Sequence, residues 1–384
     1  MGVIIFSNAF PKTEKNLNQN TADVAIIGGG IIGCAIAYQL AKRQMDVILI
    51  EKASRVGTEA SWAGAGILTS HASTHEPYPE LCRASLAMYP SLATELKSET
   101  DIDIEFIRSG TLSVFFDDSE AAGLIGLAER RVNRGFTAEV LTPEQAWKLE
   151  SAVSKSIAGA VLFPEDGHVR NPKMVTALAK GAARFGAKFL LGNPVTGFVS
   201  ENGRVEGVIV NGETIYADSF VIAAGCWAGN LTALLDFPIS ISPAKGQIVL
   251  LETMPPLIQR TIDGLGIYIV PRADGKILLG ATVEFVGYDK TPSVNGVKQM
   301  IDAAVAIAPE LAHNTFVQTW AGLRPYYKNG PCLGYLPGYD NVVLASGHFK
   351  NGILLAPITG KLIAELLTTG QTSLFMEPFA PTKD

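Results

Sequence analysis

The sequence predicts an α/β chain of the two-domain, α+β kind: a βαβ-based parallel-sheet domain assembled from discontinuous pieces, with an antiparallel-sheet domain inserted between them. Three observations predict it. A strand, a glycine turn, a helix and a second strand follow one another from Asp23 to Glu51. Apolar strands ending in glycine recur far downstream, at Val221-Ile222-Ala223-Ala224-Gly225 and Val343-Leu344-Ala345-Ser346-Gly347. Between these returns, from Ile239 to Val283, strand patterns follow each other without an obvious helix.

The first unit reads as a buried strand at Val24 to Ile27, a helix from Cys34 to Lys42 and a second strand from Asp46 to Ile50. Arg55 to Gly66 is rich in Gly, Ala and Ser and reads as a loop or a loose helix start. Pro77 to Leu96 reads as a helix, Gly110 to Phe116 as a strand and Pro143 to Leu149 as a short helix. Asn171-Pro172 opens a helix through Phe185. Val195 to Ser200 and Val205 to Asn211 form a hairpin around Asn202-Gly203, and Ser219 to Ala224 is a buried strand. Gly246 to Leu251, Gly266 to Val270 and Lys276 to Gly280 are strands, and Val297 to Ala308 is an amphipathic helix. A strand at Asn341 to Ala345, a loop at Gly347 to Gly352 and a helix from Ile353 to Leu367 close the chain.

Composition narrows the function. At 384 residues, 47% hydrophobic and 18% charged, the chain has ample core and no disordered signature. The net charge of −6 and the lack of a basic stripe argue against a nucleic-acid partner. Cys34, Cys82, Cys226 and Cys332 are widely spaced, which suggests neither zinc nor a disulfide framework and fits a reducing, cytoplasmic setting. The histidines show no metal-type spacing. Residues 1–20 read as a flexible tail and a poor signal peptide, and glycine breaks argue against a transmembrane segment.

Gly28-x-Gly30-x-x-Gly33 lies between the first strand and its helix. Gly28 makes the tight turn, Gly30 admits a pyrophosphate close to the backbone and Gly33 lets helix pack on strand. The helix N-terminus then faces the phosphates. Glu51, 18 residues past Gly33, suits a ribose diol. The unit is Rossmann-like, and the motif alone does not separate NAD from FAD. The two later glycine-ended strands favour the longer cofactor.

Two later segments look chemical. Trp320-Ala321-Gly322-Leu323-Arg324-Pro325 sets an arginine among apolar and small residues. Its partner is either a substrate carboxylate, held bidentately, or an internal Asp or Glu. Gly347-His348-Phe349-Lys350-Asn351-Gly352 precedes the last helix. It either brings backbone N–H groups to a flavin or is an ordinary cap with Asn351 as capping residue, and the two are compatible. Tyr268, in Ile267-Tyr268-Ile269-Val270-Pro271-Arg272, reads as a sheet residue or a ligand contact.

Together these segments resemble the glycine oxidases, flavoenzymes of bacterial thiamine biosynthesis within the D-amino acid oxidase and sarcosine oxidase family. The resemblance runs over nearly the whole chain after residue 20, and its last two motifs, around Arg324 and from Gly347 to Pro357, are the specific ones. It implies non-covalent FAD, since none of the four cysteines stands at the flavin-attachment position of sarcosine oxidases; Cys332 comes nearest. It implies that Gly28, Gly30, Ile31, Ile32 and Gly33 hold the pyrophosphate and that Glu51, with Lys52 beside it, meets the adenosine ribose. Ala60, Ser61, Ala65, Gly66 and Ile67 line the flavin end, and Val195 offers its backbone to adenine. His348, Phe349, Lys350, Asn351, Gly352, Ile353 and Leu354 run past the isoalloxazine ring. Arg324 and Tyr268 bind the substrate carboxylate, with Lys350 as a further contact.

The chain departs from the family pattern in three places. Lys350 stands where the family carries Arg, giving a point charge in place of a fork. Asp263-Gly264-Leu265-Gly266, ahead of Tyr268, lacks the expected aromatic and histidine residues, which implies a roomier or reshaped pocket. The loop Gly57 to Ile67 is one residue longer.

The implied reaction oxidises glycine, sarcosine or small D-amino acids to the imine by hydride transfer to flavin N5. Oxygen then gives peroxide, and the imine hydrolyses to oxo acid and ammonia. No side chain is expected to act as acid or base, and no metal is expected. Relatives suggest a homo-oligomer and a role in thiazole assembly. Residues 21–85, 158–235 and 332–384 are expected to form the FAD domain, and 86–157 and 236–331 the substrate domain. The rival readings are a dehydrogenase passing electrons to a quinone or partner protein, a non-catalytic FAD-binding electron-transfer subunit and an NAD-dependent reductase.

Overall fold

A computed structural model describes residues 21–69 and 77–383. The expected tail, residues 1–20, lies outside them.

Thr21–Ile27 is the hinge of the first sheet's order. Val47–Glu51 pairs with it in parallel on one side, with Lys188–Leu191 beyond. On the other side Glu213–Ile222 pairs in parallel, followed by Val342–Ser346. Both glycine-ended strands read from the sequence therefore return beside the first strand. The chain leaves to one side and comes back to the other, and in an open parallel sheet such a reversal opens a crevice at the C-terminal strand ends. Cys332–Tyr335 extends this sheet antiparallel to Val342–Ser346. The hairpin Val195–Glu201 and Arg204–Val210 joins it antiparallel to Glu213–Ile222.

Helices Ile31–Lys42, Tyr78–Thr100, Asn171–Arg184 and Gly352–Thr369 cover one face around a core that includes Ile36, Leu40, Tyr89, Leu178 and Leu355. Ile31–Lys42 is buried nearly all round, and small residues let its neighbours approach. A Cβ on Gly360 would lie 2.7 Å from the Ala35 carbonyl oxygen. Among the described residues Phe349–Thr369 is the one helix long and apolar enough to cross a membrane; most of it is buried in this layer.

The second sheet runs, strand by neighbouring strand, Thr315–Tyr326, Ser242–Glu252, Lys276–Gly280, Ile267–Pro271, Thr261–Gly264, Thr111–Phe115, Gly159–Phe163 and Glu139–Leu141. The expected antiparallel pairing holds except between Thr261–Gly264 and Thr111–Phe115, which are parallel. Alternation along these strands sends Leu112, Ile262, Ile269 and Leu279 to a core shared with helix Val294–Ile307. The residues between them face the first sheet.

Two expected boundaries fall elsewhere. Tyr78–Thr100 packs on the first core along its length, with Leu86, Leu92 and Leu96 all buried there, so a break at 85/86 would cut one helix. Gly159–Phe163, expected in the FAD part, is a strand of the second sheet because its partner is Thr111–Phe115.

Candidate active site

A cavity of about 910 Å³ runs from the C-terminal ends of the parallel strands to the facing side of the second sheet. That is the upper range for small-molecule sites.

At the first end the glycine turn has three distinct jobs. Gly28 takes φ +115°, and a Cβ there would strike the Ala223 carbonyl. Gly33 sits on the Gly28 carbonyl, where a Cβ would come within 1.9 Å. Both are demanded by the protein's own packing. Gly30 is different, because its Cβ would only touch Ser61 Oγ at 3.4 Å. Its bareness serves the cavity it lines. Helix Ile31–Lys42 starts at Gly30 with no capping side chain, and Ile31 N–H donates to Ser61 Oγ at 2.9 Å. Ser61 thus satisfies one of the four first-turn donors that lack intrahelical partners.

Glu51 is buried at the end of its strand. Its Oε2 accepts from Gly29 N–H at 2.6 Å and its Oε1 from Ala53 N–H at 2.8 Å. Each oxygen keeps a lone pair for a ribose hydroxyl. Lys52 lies over the Trp227 ring, 3.3 Å from its centroid, and both line the cavity. Val195 lines this end too. These features fit a dinucleotide: a bare glycine at a helix N-terminus, a fixed acid one strand away and an aromatic platform beyond.

The middle is closed by the short helix Ala60–Ala63 and the loop after it. Gly322 lies against Ala63 closely enough that a Cβ would come within 2.4 Å of the alanine's. Trp320 Nε1 donates to the Ala63 carbonyl at 3.1 Å. Arg272, buried, donates to the Val169 carbonyl at 2.9 Å and to the Ala65 carbonyl at 2.6 Å, fastening the second sheet to the loop. His348 Nε2 meets Thr359 Oγ1 at 3.1 Å, and burial pushes the imidazole down to about 3, so it stays neutral.

At the far end stand Arg324, Tyr268 and Lys350. Arg324 lies on Thr315–Tyr326 opposite Ala244, and its guanidinium passes over Gly246, where a Cβ would come within 2.1 Å of either terminal nitrogen. Its Nη1 donates to the Thr282 carbonyl at 3.0 Å. Among the described residues no carboxylate lies within ion-pair distance of it, so the internal Asp or Glu partner is not found. Burial raises the Tyr268 phenol, and the neighbouring Arg324 guanidinium partly offsets this. Tyr268 lies across Gly280, where a Cβ would be 2.8 Å from its hydroxyl. Burial lowers the Lys350 ammonium below its ordinary value, with Arg324 adding to the effect.

Nearly all the expected site residues line this one cavity: Gly28, Gly30, Ile31, Ile32, Glu51, Lys52, Ala60, Ser61, Ala65, Gly66, Ile67, Val195, Tyr268, Arg324 and the run from His348 to Ile353. Two do not. Gly33 is a packing residue, and Leu354 is 1% exposed in the helical core, where its carbonyl accepts from Ser85 Oγ at 2.6 Å. Asn351 holds the N-cap position without capping; its side chain donates instead to the Tyr78 hydroxyl at 2.6 Å.

The sequence reading did not single out Thr111 or Thr261 as site residues, and Asp263 stood only as a departure from the family pattern. All three line the cavity beside Tyr268. Burial raises the Asp263 carboxyl to about 6, nearby Asp166 adds to this, and Ser113 and Lys350 oppose it. Cys226 also lines the cavity, its thiol pushed up to about 12 chiefly by burial and thus unionised.

Known proteins resemble this chain in sequence and fold. A family model described as FAD dependent oxidoreductase, DAO, matches residues 23–366. A glycine oxidase from Geobacillus kaustophilus is 36% identical over 367 residues, covering 94% of this chain and 97% of the relative. The crystal structure of glycine oxidase from that organism superposes with a TM-score of 0.91, at 35% identity over 95% of this chain and 99% of that one. A bifunctional protein ThiO/ThiG from Synechocystis is 33% identical over 373 residues, 95% of this chain but 54% of the relative. By the extent of these matches, the chain belongs to the DAO family of FAD-dependent oxidoreductases.

Proposed function

We propose that this chain is an amine oxidase that converts glycine and other small amines, such as sarcosine and small D-amino acids, to the imine and then to oxo acid and ammonia (methylamine in the case of sarcosine), with oxygen reduced to hydrogen peroxide. The observation that carries this reading is Arg324. A guanidinium facing the cavity, with the Thr282 carbonyl and the Tyr268 phenol beside it but no carboxylate within ion-pair distance among the described residues, is costly unless a ligand carboxylate completes it. The similarity to curated glycine oxidases over more than nine tenths of both chains supports the same substrate class.

Bound FAD supplies the two-electron acceptor for the substrate's α C–H. This chain's residues do the rest. Arg324 and Tyr268 hold the carboxylate, which leaves the amine and α-carbon toward the middle of the cavity. The neutral Tyr268 phenol donates to the same carboxylate. Lys350 adds a positive charge without a fork. Ala60, Ser61, Ala65, Gly66 and Ile67 wall the flavin end, and the N-terminus of Gly352–Thr369 brings its dipole to that end. With that acceptor bound, no side chain of this chain would need to act as base on carbon. The cofactor is held without a covalent bond; the position of Cys34, Cys82 and Cys332 off the cavity wall supports this.

The cofactor domain comprises the first sheet with its helices, and the substrate domain the second sheet. The chain forms a homo-oligomer in the cytoplasm, and its product enters thiazole assembly; the relative named ThiO/ThiG supports that last point.

The test is aerobic turnover of glycine and sarcosine by the yellow protein, with peroxide measured beside the released amine, ammonia from glycine and methylamine from sarcosine. Equal amounts of both products are expected. Reduction of an artificial acceptor without peroxide would establish the dehydrogenase instead, and no turnover at all would leave a cofactor-binding subunit.

A further inference from the structure

We propose that the cavity holds a second, polar subsite, built by Thr111, Thr261 and Asp263 beside Tyr268, and that it takes the hydroxyl- or carboxamide-bearing substituent of a small amino acid. The proposal deepens the oxidase reading and rests on it for the anchor at Arg324.

The sheet register assembles the subsite. Thr261 pairs with Thr111, and Asp263 pairs with Tyr268. Residues two apart on a strand share a face, so Thr261 and Asp263 look the same way, while Ile262 between them is fully buried on the opposite side. Directly paired side chains lie about 5 Å apart at Cβ, which puts the Asp263 carboxylate within a substituent's length of the carboxylate end.

The chemistry then points to a ligand. Thr111 is 2% exposed and Thr261 1%, and neither hydroxyl has a hydrogen-bond partner among the described residues. Valine would fill the same space without a desolvated hydroxyl. Both threonines line the cavity, as does Asp263, and no cation comes within ion-pair distance of that carboxylate among the described residues. Charge selects the occupant. With a substrate carboxylate on Arg324, the charges of Lys350 and Asp263 balance. A second carboxylate would confront Asp263, and a second ammonium would add a third cation beside Arg324 and Lys350. A neutral group that both donates and accepts suits one carboxylate and two hydroxyls.

Matched pairs of equal size test this in the FAD-loaded enzyme: N-(2-hydroxyethyl)glycine against N-propylglycine, and both enantiomers of serine against those of 2-aminobutyrate. At least a tenfold preference in kcat/KM for the hydroxylated member is expected in one pair, with glycine run in the same peroxide assay. In Thr111→Val/Thr261→Val, which conserves shape, the preference should fall below threefold relative to that variant's own glycine rate; Asp263→Asn should lower it as well. Titrating 3-hydroxypropanoate against butanoate, read from the visible flavin band, should show the same preference without turnover. Equal rates within every pair, or a preference that survives the double variant, would overturn the subsite. If no amine, glycine included, gives peroxide while 3-hydroxypropanoate still binds tenfold tighter, the subsite stands and the oxidase reading falls.

Discussion

Arg324 shows how much one side chain is asked to do. Arg324→Ala should raise KM for glycine about a hundredfold, as expected for a lost charge-assisted pair of about 3 kcal/mol. An unchanged KM would remove it from the site. Gly246→Ala makes the same point without touching the charge. The backbone there tolerates alanine, but the new methyl would occupy the guanidinium's place. KM should rise at least tenfold while the melting temperature moves by less than about 3 °C, a shift below roughly 1 kcal/mol in a chain this size. Arg324 was legible in the sequence because an arginine among Trp, Gly, Leu and Pro is chemically odd wherever it folds. Gly246 was not, since its role depends on the strand that passes beside it. Thr111 and Thr261 are an ordinary pair of β-formers until a parallel pairing across about 150 residues sets them side by side.

At the scale of elements, the legible parts were those whose local sequence dictates backbone geometry. The turn at Gly28, the capping box of Pro143–Leu149 and the hairpin at Asn202-Gly203 all carry their own signals. Helix Asp118–Val132 was not read, because Gly123 and Gly126 dilute its pattern and most of it stays partly exposed. Thr315–Tyr326 carries Arg324 yet was assigned no element; its first half is exposed at a sheet edge and its second half faces the cavity, so no single alternation runs through it. Arg272 is one joint between the second sheet and the loop that closes the cavity, beside Trp320. Arg272→Met would leave the Val169 and Ala65 carbonyls buried without this donor. At about 1–3 kcal/mol per orphaned group, the melting temperature should drop by several degrees, and FAD should dissociate at least tenfold more readily because Ala65 and Gly66 wall its site. A variant with full FAD affinity would show that the loop holds itself.

For the whole molecule, packing two sheets face to face buries titratable groups that no motif announces. His168 and His348 are each about 1% exposed, and both are pushed down to about 3, in each case chiefly by burial. A histidine unfolds to an ordinary value near 6.5. Between pH 6.5 and 3 the unfolded chain therefore binds more protons at these two positions than the native one. Stability from them is complete above 6.5 and lost as the pH falls. At pH 5 the loss is about 2 kcal/mol for each histidine. Asp263 works the other way. Its native value near 6 exceeds the unfolded one, so its penalty grows as the pH rises from about 4 to 6 and is full above that, and going from pH 7 to pH 5 returns about 1 kcal/mol. Two histidines outweigh one aspartate, and the melting temperature of the holoenzyme should fall between pH 7 and pH 5. His348→Gln should cut that fall to about a third, since about 2 kcal/mol from His168 then stands against about 1 from Asp263. Asp263→Asn, which removes the opposing group, should steepen it. A melting temperature independent of pH across this range would mean that both imidazoles are protonated or solvated in the native protein.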